Sequence, residues 1–425
     1  MLATVFVAQA SFTLVTPFMP FLLKSMDVTG NLATWSGLAL SASSLTSALM
    51  APFWGAVADK YGKRAQILRS GVGIALTYAL YPFAKTPLQF VAMRALTGFL
   101  SGFLPAATSL IATNTPEDKM GYSLGLFQAV NAAGTISGPL IGAVTVRMVG
   151  IPSTFRLSAL LLLIFSTGCF VTIREEVSKN KGRINVFGDI REAFRNKQLV
   201  MVFMCLFLVQ AAIMVTQATL VLYIDRLSAG RDSMVISGVV TSIVGLGTVV
   251  GATYTAKRNE RAMENGSSKY VWLGSESQGP HGIKHLLENM NHQNFFLVGL
   301  IGSAIFAALQ GMWVAIVPLA LFRLIFGVFN GMLTVSGNVL AATAVTREFR
   351  GRAFGVMSGV LPMGAVVGPL LGGAAGDSLG LGSAFYVSSA VFLLAAGVLR
   401  TYVSPRRRLK AQDGAASGPP VSGTR

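Results

Sequence analysis

The chain has 425 residues, of which 52% are hydrophobic and only 12% charged, against roughly a quarter charged in an average soluble domain. That balance excludes an ordinary soluble globular protein and points to an all-α membrane protein. A net charge of +17 raises nucleic acid as a partner, but the basic residues are spread over loops and not gathered on one surface, which argues against it.

A helix needs about 20 apolar residues to cross the hydrocarbon core. Such stretches predict twelve spans, at residues 2–23, 33–57, 66–84, 88–113, 120–146, 154–173, 198–224, 234–256, 294–313, 316–342, 352–375 and 382–404. The first has no basic lead-in, which suggests a truncated start, and it lacks the small-residue cleavage pattern of a signal peptide. With the N-terminus inside, cytoplasmic segments, together with the span ends that adjoin them, hold 26 of the 34 Lys and Arg. Lys24, Lys85, Arg147, Arg156, Arg226 and Arg231 lie outside, and Arg94 and Arg323 lie within spans. The asymmetry predicts a multi-pass protein of the plasma (inner) membrane with both termini cytoplasmic. Cys169 and Cys205 fall inside spans as small apolar packing residues, with no disulfide framework.

The chain repeats itself. Gly121, Gly125, Gly134, Gly138, Pro139 and Gly142 recur 230 positions later as Gly351, Gly355, Gly364, Gly368, Pro369 and Gly372. Arg94, Gly98 and Gly102 recur at 229 as Arg323, Gly327 and Gly331, and Ser36 and Gly37 at 201 as Ser237 and Gly238. A period this long between two hydrophobic halves marks a duplicated transporter. The change of offset places about 29 extra residues after span 8.

Span 2 ends in Gly55-Ala-Val-Ala-Asp59-Lys60-Tyr-Gly62-Lys63-Arg64. It offers a glycine for close approach, an acid and a basic run at the membrane edge, and a second glycine for a tight turn. In order, spacing and position this resembles the motif between helices 2 and 3 of the major facilitator superfamily. The resemblance implies that Asp59 latches the two halves on the cytoplasmic side, with Gly55, Lys60, Gly62, Lys63 and Arg64 completing the gate. In the second copy Glu260 and Arg261 keep the charges, but Ala256 and Met263 replace the glycines.

Span 4 carries Arg94, Gly98 and Gly102 on one helical face. The glycines permit close packing, and an arginine inside a membrane is costly enough to suggest function, although a structural, snorkelling role is open. In the superfamily's antiporters a matching Arg is implicated in proton transfer, so the resemblance assigns coupling to Arg94 and its twin Arg323. Span 5 carries Gly134, Gly138, Pro139 and Gly142, repeated in span 11 as Gly364, Gly368, Pro369 and Gly372. These predict a kinked helix that slides against a neighbour, and they resemble the helix-5 motif of the superfamily's exporters. Over its whole length the chain is most similar to the twelve-span drug and proton antiporter branch, the bacterial multidrug efflux pumps.

The implied architecture is the major facilitator fold, twelve transmembrane helices in two pseudo-symmetric six-helix bundles. The N-terminal bundle spans 1–173, and a cytoplasmic linker follows at 174–197. The C-terminal bundle spans 198–404 with a cytoplasmic insertion at about 262–293, and 405–425 form a disordered tail. In the linker Val186, Phe187, Ile190 and Phe194 share one helical face, fitting a surface helix or a solvated tether equally. The insertion holds His281, His285 and His292 with no Cys beside them, so no metal site is expected. Arg406, Arg407, Arg408 and Lys410 would anchor the last span at the anionic inner leaflet.

Amides inside a membrane must find a partner or a wet cavity. Gln9, Gln128, Asn131, Gln210, Gln217, Asn330 and Asn338 therefore mark the candidate substrate cavity, with interhelical packing as the alternative for some. None of the 17 Asp and Glu residues falls centrally in a span. Two buried arginines without a buried acid predict a neutral, zwitterionic or anionic small-molecule substrate in preference to a lipophilic cation. Three readings stay open: a proton-coupled exporter of amphipathic molecules including drugs, a facilitator or importer of a sugar or organic acid, and a transport-inactive sensor. No catalytic constellation or cofactor site is visible, and the protein is expected to be a monomer.

Overall fold

The computed structural model describes residues 2–26, 28, 30–115, 117–173, 175, 195–228, 232–264, 292–345 and 350–416. Among them every regular element is helical. The N-terminal half contains α1 (Leu2–Val15), α2 (Met19–Lys24), α3 (Leu32–Tyr61), α4 (Lys63–Leu80), α5 (Pro87–Phe99), α6 (Phe103–Asn114) and α7 (Glu117–Thr172). The C-terminal half contains α8 (Lys197–Val215), α9 (Leu220–Ser228), α10 (Ser233–Glu264), α11 (His292–Met312), α12 (Ile316–Thr343), α13 (Arg350–Leu379) and α14 (Ser383–Ala416).

Local chemistry sets many of the boundaries. Thr86 accepts from the Gln89 N–H and Pro87 occupies the first position of α5, a good start for a helix. Asn196 accepts from the backbone N–H of Gln198 and Leu199 and donates to the carbonyl of Ala344, so one side chain caps α8 and ties it to the end of α12. Gly62, at φ +98°, makes the one-residue turn between α3 and α4. The first span is interrupted by a 3₁₀ turn at Thr16–Phe18 containing Pro17, and its repeat is interrupted at 216–219, between α8 and α9.

Among the described residues nine helical stretches are long and apolar enough to cross a membrane. One of them, Gly125–Thr172, has 48 residues. At 1.5 Å per residue it is about 72 Å long, more than twice the roughly 30 Å hydrocarbon core. It turns at Gly150, the one non-helical backbone position in α7. The expected spans 5 and 6 are thus joined at a single glycine (φ +79°), and the non-helical position is there and not at Pro139. α3 and α4, with 30 and 18 residues, are long enough but too polar to count by composition.

Three further expectations are corrected. Span 4 is not one helix: it breaks at residues 100–102 into α5 and α6. The last helix does not end at 404 but continues through the basic cluster to Ala416, so 405–416 are helical. Gly55 approaches no neighbour, since a Cβ there would meet nothing within 4 Å. Most of the linker, including Val186, Phe187, Ile190 and Phe194, lies outside the described residues. So do most of the insertion, with His281 and His285, and the end of the tail; His292 opens α11.

Each half has its own core. Phe90, Leu110, Phe155 and Leu162 cluster in the first, and Leu199, Phe296, Phe326 and Phe392 in the second. Two separately packed bundles can move against each other without losing either core.

Candidate substrate path and gates

The repeated glycines place the helices that line the path. α7 lies against α1 with Gly134, Gly138 and Gly142 on the α1 backbone: a Cβ on Gly138 would stand 2.0 Å from Thr13 Oγ1 and 2.6 Å from the carbonyl of Ala10. α13 repeats this on α8, where a Cβ on Gly364, Gly368 or Gly372 would stand 2.5, 2.4 or 1.8 Å from the carbonyls of Phe207, Ala211 and Val215. Only glycine allows these approaches. In both halves the first contact brings the glycine beside a glutamine, Gln9 with Gly134 and Gln210 with Gly364, so the two amides occupy equivalent positions.

Gln9 Nε2 donates to Thr135 Oγ1 at 3.0 Å. The buried carbonyl oxygens of Gln9, Asn131 and Asn330 have no hydrogen-bond partner among the described residues. Half-buried acceptors of this kind suit a polar ligand or water. Gln210 is half-buried and Gln128 is exposed near the start of α7. Gln217 sits in the turn between α8 and α9, and Asn338 is exposed near the end of α12. These two mark opposite ends of the path and do not join Gln9 and Asn131.

Contacts between the halves cluster at one end. Asp377, at the end of α13, accepts from the backbone N–H of Ala33 (3.2 Å) and Thr34 (2.7 Å), the first turn of α3. Below it a Cβ on Gly37 would stand 2.3 Å from the Pro369 carbonyl, and the Ser41 hydroxyl donates to the Val366 carbonyl at 2.6 Å. On the other side Gly238 packs on Pro139 and Ala143. Lys24 Nζ meets Asp225 Oδ2 at 2.8 Å, and Arg147 lies 3.6 Å from Asp232. These clasps follow the repeat: Lys24 and Asp225 are 201 positions apart and are each other's equivalents, so their bridge straddles the pseudo-twofold axis. Asp377 and Arg147 are likewise equivalents, 230 apart. Each faces the start of the opposing helix, α3 or α10, with opposite charge.

At the other end the halves part. Gly37 and Gly55, about five full turns apart, lie on one face of α3; a Cβ on Gly37 would press on α13, whereas one on Gly55 would meet nothing within 4 Å. Gly125 and Gly359, like Gly55, have open space beside them. Asp59 and Lys60 are exposed, with Lys60 Nζ 5.0 Å over its neighbour Tyr61. The path is therefore closed at the Lys24 end and open at the Asp59 end.

Near that open end the motif loop is held within its own half. Glu175, just beyond α7, accepts from the backbone N–H of Lys63 (2.8 Å) and Arg64 (2.9 Å) and so caps α4. Arg64 donates to the Ile173 carbonyl and lies 4.3 Å over the Phe170 ring, while Lys63 Nζ reaches the Ser109 carbonyl. A side chain at Gly62 would press on the Glu175 carboxylate.

The two membrane arginines are both buried within their own halves. Arg94 donates to the Ala39 carbonyl (3.4 Å) and the Tyr81 hydroxyl (3.3 Å). The Tyr81 hydroxyl bonds Thr97, which donates to Thr77. Arg323 donates to Gln310 Oε1 at 3.1 Å, its partner 13 positions before it as Tyr81 is before Arg94. Gly98 and Gly327 play matching roles, packing on the carbonyls of Ser43 and Val244. Gly102 does not pack as expected: at φ +122° it opens the second part of the broken span.

A family model described as Major Facilitator Superfamily matches residues 1–267 and 283–423. The chain belongs to the major facilitator superfamily. It is therefore a multi-pass membrane transporter. Relatives in this superfamily include the "Multidrug resistance protein MdtG" of Rahnella sp. (strain Y9602), 30% identical over 404 residues, 92% of this chain and 90% of that one. The protein of the same name from Salmonella paratyphi C (strain RKS4594) is 31% identical over 412 residues, 95% and 94% of the two chains. Among solved structures, the nucleoside transporter NupG superposes with a TM-score of 0.74 at 14% identity, covering 95% of this chain and 98% of that one. An inward-facing, unoccupied bacterial homologue of the human lysosomal transporter Spinster gives 0.70 at 13% identity, covering 95% and 94%. At that identity the likeness concerns the major facilitator fold alone.

Several residues of this superfamily member that shape the path escaped the sequence reading. Lys24, Asp225, Arg147 and Asp377 look like ordinary charges at span ends; their signal was the repeat offset, which pairs Lys24 with Asp225. Glu175 gave no signal, because its partner is backbone.

Proposed function

We propose that the chain is a secondary active exporter that moves drugs or amphipathic metabolites by alternating access, coupled to protons. The observation that carries alternating access is the asymmetry of one helix face, in which Gly37 of α3, flanked by the bonds of Ala33 and Ser41, meets α13 while Gly55, about five turns further along the same face, stands free. The name of the relatives, matched over nearly the whole chain, supports efflux of drugs. The distribution of Lys and Arg supports a cytoplasmic Asp59 end with both termini inside, which makes the described state inward-facing. Twelve passes follow if α3 and α4 cross the membrane and α7 crosses twice. Asp59, exposed in this state, is the latch of the opposite one.

The acids in the described residues, Asp59, Glu117, Asp118, Glu175, Asp225, Asp232, Glu260, Glu264, Asp377 and Asp413, lie near helix ends or in connecting segments. This supports a neutral, zwitterionic or anionic substrate. Purified protein in proteoliposomes, with an imposed pH gradient, tests the reading: a lipophilic anionic dye should move against the gradient and ethidium should not. Gradient-independent movement would select a facilitator, and no movement of any compound a sensor.

A further inference from the structure

The break in the fourth span has no equivalent in the second half, where α12 runs unbroken through Gly331. Around it the structure gathers hydrogen-bond donors without acceptors. The carbonyls at the end of α5 are used: Trp54 Nε1 donates to Phe99 (2.6 Å) and Arg69 Nη2 to Ser101 (2.8 Å). Arg69 Nε donates to Gln66 Oε1 at 2.9 Å, which fixes the amide and turns its Nε2 toward Gly102. A Cβ on Gly102 would stand 2.7 Å from that nitrogen. Gln66 is 3% exposed, and neither its Nε2 nor Arg69 Nη1 has a partner among the described residues. Gly102 provides no side-chain cap for the 12 residues of α6, so the first-turn N–H groups and the positive end of the helix dipole face the same place. Arg69 stacks 3.3 Å from the Trp54 ring and has no ion pair with a described carboxylate.

Donors buried together without an acceptor are costly unless an anion joins them. We propose that Gln66, Arg69 and the N-terminus of α6 form a binding site for a small anion, either chloride or the carboxylate of a transported compound. Only the second source rests on the export reading. Trp54 lies close enough to report occupancy.

The test uses the full chain in detergent, with thermal unfolding titrated by chloride and separately by benzoate against isethionate at constant ionic strength. Saturable stabilisation by chloride alone assigns an inorganic ion. Stabilisation by benzoate, competitive with chloride, assigns a carboxylate. No saturable response to either overturns the proposal. Gln66→Glu places an oxygen where Nε2 stands, so it should raise the anion-free midpoint by about 2 °C or more and weaken the anion response at least tenfold. A lowered midpoint with the response intact would contradict the site. Neither readout needs transport, so the site and the export reading can fail separately.

Discussion

Gly138 is the residue on which most of the α1–α7 contact turns. A Cβ there meets Thr13 and the backbone of Ala10 and Leu14, which cannot retreat without moving α1. Gly138→Val should therefore cost about 1–3 kcal/mol, read as a lowered unfolding midpoint. Gly125→Ala has open space in this state and should gain about 0.5–1 kcal/mol from backbone entropy. The repeat made such glycines legible, because they recur with their neighbours. It gave no hint that Gly102, from the same pattern, turns the chain at a positive φ; glycine supports both uses and its one-letter code does not say which. Arg94 was legible as buried but not in its surroundings, which are a carbonyl and a phenol within one half. If it couples the cycle to protons, Arg94→Ala should abolish gradient-driven transport in proteoliposomes while Arg94→Lys keeps part of it. Intact coupling in the alanine variant would leave Arg94 a packing residue.

At the scale of elements, hydropathy located the helices well and their interruptions poorly. Breaks at 100–102, at Gly150 and at 216–219 lie within or between apolar stretches, where a window average sees no change. The cap on α4 was invisible for a different reason: Glu175 is 112 positions from Lys63, and a carboxylate on backbone N–H leaves no sequence pattern. Glu175→Gln removes the charge that faces two N–H groups and the positive helix end. It should cost about 1 kcal/mol and loosen the motif loop, seen as faster hydrogen exchange at residues 62–66. Unchanged exchange there would mean that the turn at Gly62 holds α4 by itself.

For the whole molecule, the balance between closed and open ends is set by unequal clasps. Lys24–Asp225 is partly exposed and contributes about 0–1 kcal/mol. Asp377 takes two charge-assisted bonds from α3, each in the range of about 1.5–3 kcal/mol, so it should dominate. Exchanging the charges, Lys24→Asp with Asp225→Lys, should restore whatever the single changes lose, since the two positions are equivalent by the repeat. The most direct measurement places spin-label pairs across α3 and α13, at Gly30 and Leu379 for one end and at Phe53 and Gly359 for the other, with and without Asp377→Ala. Alternating access predicts that the variant lengthens the first distance and shortens the second together. A change at the Lys24 end alone, or the same direction at both ends, would contradict two rigid halves rocking about a central path.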